Sequence, residues 1–246
     1  MSAKLESLLR LMAVQASYTY ERMAGIGVGH AATPLLRDVF AQRPARDRRE
    51  AIARSADFFN SHPYLASVAV GAVVKAERDG VPGPVISRLR TALSGPLGAL
   101  GDQLIWAGWV PTLIGIALIA AHAFGIWAIV ALLVVHNILR VWITAWGLEL
   151  GLREGLGVGA ALQRSWLPLG AVEAQRAAAL AVGVAVPIVV GRVLAAAPPA
   201  AIAVTVAAGL VGATLTILPA TKTRVTGLRF GLALVALAVI TAGVLR

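Results

Sequence analysis

The longest uncharged stretch of the chain, residues 103–139, contains no Asp, Glu, Lys or Arg. As one helix it would extend about 55 Å at ~1.5 Å per residue, whereas a bilayer core is only about 30 Å thick. The pattern predicts one membrane span plus a second span or a re-entrant piece, with Pro111, Gly115 and Gly125 as candidate breaks. Downstream, three apolar blocks at residues 177–194, 200–220 and 227–245 predict three transmembrane helices, the first kinked at Pro187. Upstream the pattern becomes amphipathic. Leu5, Leu8, Leu9 and Met12 recur at helical spacing, and Ile52, Ser55, Ala56 and Phe59 do so more weakly. This predicts helices on or against the membrane rather than a separate soluble domain. Pro34 and Pro44 are expected to bracket a short helix and turn. Pro63 can open a helix whose apolar part, ending at Val74, is too short to span, which suits a buried or re-entrant segment. Residues 79–84, DGVPGP, read as a loop.

Composition changes the picture from amphipathic to membrane-embedded. With 58% hydrophobic residues, 14% charged residues and a mean hydropathy of +0.79, the chain is more apolar than soluble domains. The expected fold class is an all-α integral membrane protein with cytoplasmic-side amphipathic helices, re-entrant or broken helices and several transmembrane helices. The net charge of +10 does not make it a nucleic-acid binder, because repeated runs of spanning length are incompatible with that role. Residues 1–92 hold 13 of the 22 Lys+Arg and 8 of the 12 Asp+Glu, which marks a cytoplasmic face. Its cluster of Arg43, Arg46, Arg48, Arg49 and Arg54 suits anionic membrane lipid, with a solvated helical face as the plainer reading. Four regions follow: an amphipathic and re-entrant region 1–92, a glycine-rich opening and long membrane-embedded region 93–139, a polar interlude 140–176, and the C-terminal spans 177–246. Trp142 and Trp146, four apart, read as an interfacial aromatic edge. Lys222, Arg224 and Arg229 place the last loop in the cytoplasm with the N-terminus, and Arg246 outside. Glu6 and Arg10 interrupt what would be the apolar part of a signal peptide, so the N-terminus reads as an uncleaved helix.

The candidate chemistry centres on Asp102, preceded by Gly95, Gly98 and Gly101. A sugar offers hydroxyls to carboxylates and amides and an apolar ring face to aromatics. Asp102, Gln103 and Trp106 supply these functions within about one turn. The competing reading makes Asp102 a helix cap. Asn60 and His62 are candidates for the other wall of the same pathway, with capping and turn formation as their alternative. The histidines have no metal-ligand spacing, there are no cysteines, and no phosphate-binding glycine loop occurs. No metal, cofactor or catalytic residue is assigned. Arg37, Arg54, Arg88 and Arg90 could face an acidic partner, although exposed arginines need none.

Four blocks carry a resemblance: QASYTYERM at 15–23, DFFNSHPYLA at 57–66, LSGPLGALGDQLIW, and HNILRVWITAWGLELG. In order, over about two-thirds of the chain, they resemble the IID subunit of the mannose/fructose/sorbose family of bacterial phosphotransferase-system (PTS) sugar permeases. The resemblance implies a non-catalytic inner-membrane subunit. With a IIC subunit it would form the pathway for a hexose-type sugar that cytoplasmic IIA/IIB phosphocarriers phosphorylate, in a higher oligomer of IIC-IID units. The other reading is a scaffold or regulatory subunit that keeps the fold without transport. The chain departs from the family pattern at several points. His62 stands where the family commonly has an amide, Gln103 where it has a small residue, and no arginine follows Trp106. The sequence therefore does not carry over the family's usual sugar choice.

Overall fold

The computed structural model describes residues 2–196, 198–200 and 203. Two compact units are distinct, residues 1–185 and 186–246. The predicted spans at 200–220 and 227–245, and the loop holding Lys222, lie outside the described residues or almost wholly so. The first unit is built of helices joined by short turns and extended segments. Among the described residues the only strand-like pairings are isolated bridges joining Met23 to Thr19 and to Phe59.

Helix α1, Ala3–Met12, begins at an N-cap where Ser2 accepts from the Leu5 N–H at 3.3 Å. It buries Ser7 and Leu11 and leaves Leu5 and Leu9 about half exposed, the apolar outer stripe expected of a helix lying against a membrane. Helix α2, Gly25–Val39, runs straight through Pro34, contrary to the prediction that this proline bounds a helix. The reason is an outside donor. Proline cannot donate to the carbonyl four residues back, and that carbonyl, of His30, accepts instead from Arg10 Nη1 at 2.9 Å. Pro44 does act as a boundary, at the N-cap of α3, Ala45–Ser55.

Helix α4, Ala66–Arg78, is the buried axis of the unit, with Ala66–Val74 buried on every face. At about 20 Å it is too short to span, as its sequence predicted. It packs against α7, Ile126–Glu154, through small residues. A Cβ at Gly151 would fall 2.2 Å from the Val68 carbonyl oxygen, and one at Gly71 would fall 2.4 Å from that of Leu148. Gly147 and Gly151, four apart, let the two backbones touch, as glycine pairs do between membrane helices. The α3–α4 contact is polar: Arg54 donates through Nε and Nη2 to Glu77 Oε1 at 3.1 and 2.7 Å. Glu77 is buried, so removing Arg54 would strand its charge.

Helix α5, Gly83–Gly101, continues without a break into a π-helical segment, Asp102–Trp109, and then α6, Val110–Phe124. The loop before α5 is residues 79–82, shorter than the predicted 79–84 because Gly83 and Pro84 form the first turn of α5, where proline's missing N–H costs nothing. Of the three predicted breaks only Gly125 turns the chain, with φ 57° and ψ −140°, a conformation open to glycine. Gly115 instead packs on Ala181. Pro111 sits in the first turn after the π-helical segment, and that widening relieves the clash of its ring with the preceding turn. The segments Gly83–Phe124 and Ile126–Arg192 are long and apolar enough to cross a membrane, each with mean hydropathy 2.0 over its most apolar window. Large apolar side chains on α6 and α7, among them Ile114, Leu133 and Ile138, are exposed, as lipid or a partner requires. After α7 come α8, Val158–Arg164, and α9, Leu167–Ala196, with Pro187 inside it. Trp142 and Trp146 close on Trp166, with ring centroids 5.1 and 5.2 Å away, so the predicted aromatic edge is also a clasp between α7 and the approach to α9.

Candidate functional site

Three separate pieces of chain enclose a cavity of about 540 Å³. One wall is a single face of the long broken helix, where Ser94, Gly98, Asp102 and Trp106 follow one another at four-residue intervals. The second wall is the extended segment 60–63, including Asn60 and His62. The third is the N-terminal segment after α1, contributing Gln15 and Tyr18. Cross-links hold the walls together. Tyr18 Oη donates to the Ser61 carbonyl at 3.1 Å, the Asn60 N–H donates to Ser94 Oγ at 3.2 Å, and Ser94 Oγ in turn donates to the Asn60 carbonyl. Behind them Met23, in the left-handed region at φ 49°, turns the N-terminal segment so that the Ala24 N–H reaches the Phe59 carbonyl at 2.9 Å.

Asp102 has no helix terminus to cap. Its backbone is helical at φ −64° and ψ −41°, within a helix that continues on both sides. Among the described residues its carboxylate accepts no protein hydrogen bond, and it is exposed toward the cavity. Trp106, one turn on, is half exposed and presents an aromatic surface to the same space. The Asn60 side-chain amide is likewise free of protein partners among the described residues. Gln103, the fifth residue singled out from the sequence, is exposed but is not part of the cavity wall.

His62 is 2% exposed. Burial pushes its pKa down to about 4, so the ring is neutral near pH 7. Its Nδ1 accepts from the Tyr64 N–H at 3.3 Å, which puts the proton of the neutral ring on Nε2. That Nε2 is buried and has no protein partner among the described residues. His62 also lies against two aromatic rings, edge-on to Tyr64 at 4.9 Å and tilted to Trp106 at 5.7 Å. From Tyr64 a polar chain runs outward to α7 and the π-helical segment: its Oη is 3.0 Å from His136 Nε2, and Trp109 Nε1 donates to His136 Nδ1 at 3.2 Å. Burial raises the Tyr18 pKa, and the negative charge of Asp102 raises it further.

Sequence reasoning did not single out Gln15, Tyr18 or Ser94 as site residues. They reach the cavity only through the tertiary return of the N-terminal segment and the register of α5. The available signal was a glutamine and tyrosines clustered beside an amphipathic helix at residues 15–20.

The described residues thus form a helical chain with segments long and apolar enough to cross a membrane and a polar, aromatic-lined cavity at an irregular helical turn. The family described as "PTS system mannose/fructose/sorbose family IID component" matches residues 2–217, and the chain belongs to that family. It is 25% identical over 147 residues to the fructose permease IID component of Bacillus subtilis (strain 168), covering 58% of this chain and 53% of that one. It is 24% identical over 155 residues to the mannose-specific EIID component of Escherichia coli (strain K12), covering 61% and 54%. With the sorbose-specific EIID component of Klebsiella pneumoniae it shares 26% over 155 residues, covering 61% and 56%. The chain thus spans about half the length of the curated relatives it matches. The fold is similar to that in a structure of the mannose transporter ManYZ with microcin E492, with TM-score 0.56, 21% identity and coverage of 75% of this chain and 69% of that one. A second membrane-protein structure aligns with TM-score 0.66, 20% identity and the same coverage.

Proposed function

We propose that this chain is the membrane-embedded IID subunit of a PTS permease. With a IIC subunit it forms the inward pathway of a hexose-type sugar, which separate IIA/IIB subunits phosphorylate. The chain itself performs no chemistry. The observation that carries this reading is the convergence on one cavity of Asp102, the free Asn60 amide and the Trp106 ring, with the buried His62 ring packed behind them. Together Asp102, Asn60 and Trp106 provide an acceptor, a mixed donor and acceptor, and a stacking surface, which is what a polyhydroxylated ring requires. Gln103 joins this set only if the ligand or the IIC subunit reaches beyond the cavity.

The protein is assigned to the bacterial inner membrane as a multi-pass subunit, with its N-terminus and Lys222 cytoplasmic and Arg246 outside. The chain has no cysteines, so single-cysteine labelling is clean. Lys222→Cys is protected from an impermeant external reagent on this topology, and external labelling there overturns it. Transport is tested by sugar uptake in cells lacking their own mannose-family permease and supplied with this chain and its IIC, IIA and IIB partners. Omitting this chain abolishes uptake. Full uptake without it would assign the chain to a scaffold role.

A further inference from the structure

The charge of the cavity wall carries a consequence for what can stay bound there. Among the described residues lining it, Asp102 is the only charged side chain, and neither Lys nor Arg is present. His62 adds no positive charge, since its Nδ1 accepts from the Tyr64 N–H and the ring is neutral. The neighbouring arginines are turned to other work. Arg90 Nη2 donates to the Ser55 and Asp57 carbonyls at 3.0 Å each, Arg140 Nη2 donates to the Met12 carbonyl, and Arg22 Nη1 donates to the Ala56 carbonyl at 3.3 Å. Anion sites in proteins are built from guanidinium, ammonium or several convergent backbone N–H groups. This wall offers none of the charged donors and places a carboxylate where they would stand.

We propose that the Asp102 cavity retains a neutral sugar and expels its phosphate ester, so that this chain drives product release electrostatically. The inference rests on the sugar-pathway reading above. When a bound sugar is phosphorylated, its hydroxyl oxygen gains the phosphoryl group. The bond from phosphorus to the donor subunit's carrier group breaks, and the hydroxyl proton passes to that carrier. A neutral ligand thereby becomes one carrying about −1.5 to −2 charges near pH 7. At a separation of about 5 Å and the intermediate dielectric of a partly exposed site, repulsion from one carboxylate is worth roughly tenfold to a hundredfold in affinity. The same carboxylate that accepts hydroxyl protons before transfer opposes the product after it.

The test is calorimetric or fluorescence binding to the assembled membrane complex. The ligands are mannose, glucose and fructose, each beside its 6-phosphate, for the wild type and for Asp102→Asn, with assembly checked by size exclusion. The wild type binds at least one free sugar about a hundredfold more tightly than its phosphate. In Asp102→Asn the free sugar binds about tenfold more weakly while its phosphate binds about tenfold more tightly, so the two affinities move in opposite directions. If both fall together, or the phosphate affinity does not change, the electrostatic release is overturned while the sugar site stands. If no free sugar binds the wild-type complex, the pathway reading itself fails and this inference fails with it.

Discussion

The His62 imidazole lies directly on the backbone of Gly101: a Cβ at Gly101 would fall 2.2 Å from His62 Cβ and 2.4 Å from Cγ. Glycine at this position is what lets the 60–63 segment close against the helix that carries Asp102. Gly101→Ala therefore pushes the His62 ring out of place and is predicted to cost about 1–3 kcal/mol, the usual penalty of overpacking. Thermal unfolding of the complex together with sugar affinity checks this. Gly159→Ala is the control, since its Cβ would meet no atom within 4 Å and it lies outside the cavity wall. Equal behaviour of the two variants would contradict the contact.

A related prediction concerns pH. The folded-state pKa of His62, about 4, lies below the ordinary value of 6.5 because burial disfavours the charged ring. The unfolded chain then binds the proton first as pH falls, so this group's contribution to stability is complete above about pH 6.5 and is lost as pH drops toward 4. The loss amounts to about 3 kcal/mol on the scale of ~1.4 kcal/mol per pKa unit. His62→Gln removes the titration and flattens that part of the profile. A wild-type profile that stays level from pH 7 to 4 would refute a buried neutral His62.

The α4–α7 seam makes a stability prediction independent of the cavity. Gly151→Val inserts a branched side chain where even one carbon would sit 2.2 Å from the Val68 carbonyl oxygen. The variant is predicted to lose more than about 3 kcal/mol and to fail to accumulate as a folded complex. Gly159→Val, where a Cβ would meet no neighbouring atom, is predicted to accumulate normally. Quantitative immunoblots of membrane fractions distinguish the two.

The part-buried polar chain from Tyr64 to His136 predicts a smaller effect. In Tyr64→Phe the ring remains but His136 Nε2 loses its partner at 3.0 Å, which is predicted to cost about 0.5–1.5 kcal/mol. The expected result is a modest drop in thermal stability with assembly intact. No change at all would show that the Tyr64–His136 bond adds nothing to stability.

Much of this fold is legible in composition and local chemistry. The uncharged run, the buried short helix after Pro63 and the Gly125 turn all follow from length and glycine freedom, which are local properties. Pro34 shows where such reasoning ends. Its effect on α2 is cancelled by Arg10, twenty residues before the freed His30 carbonyl, and no local pattern records that bond. The π-helical segment is equally hidden, because nothing in the residues DQLIWAGW distinguishes it locally from an α-helical turn. Asp102 could be singled out because a carboxylate at the mouth of an uncharged run is costly, Trp106 because it offers a ring face one turn on, and Asn60 and His62 because they stand in the turn-forming block NSHP. Gln15 and Tyr18 could not, because they come from a polar stretch where such residues cost nothing and only the tertiary return brings them to the cavity.

On the proposed function, Asp102 binds sugar rather than shaping the helix. Asp102→Asn keeps size and helical fit but swaps one acceptor for a donor and removes the charge, losing about 1.5–3 kcal/mol for a strong charge-assisted bond. The decisive measurement is sugar affinity of the assembled complex for the wild type and Asp102→Asn, with Trp106→Ala beside them. The account predicts a tenfold to hundredfold loss at Asp102→Asn, on the scale of ~1.4 kcal/mol per tenfold, with normal assembly and a parallel loss at Trp106→Ala. Wild-type affinity in a normally assembled Asp102→Asn complex would contradict it.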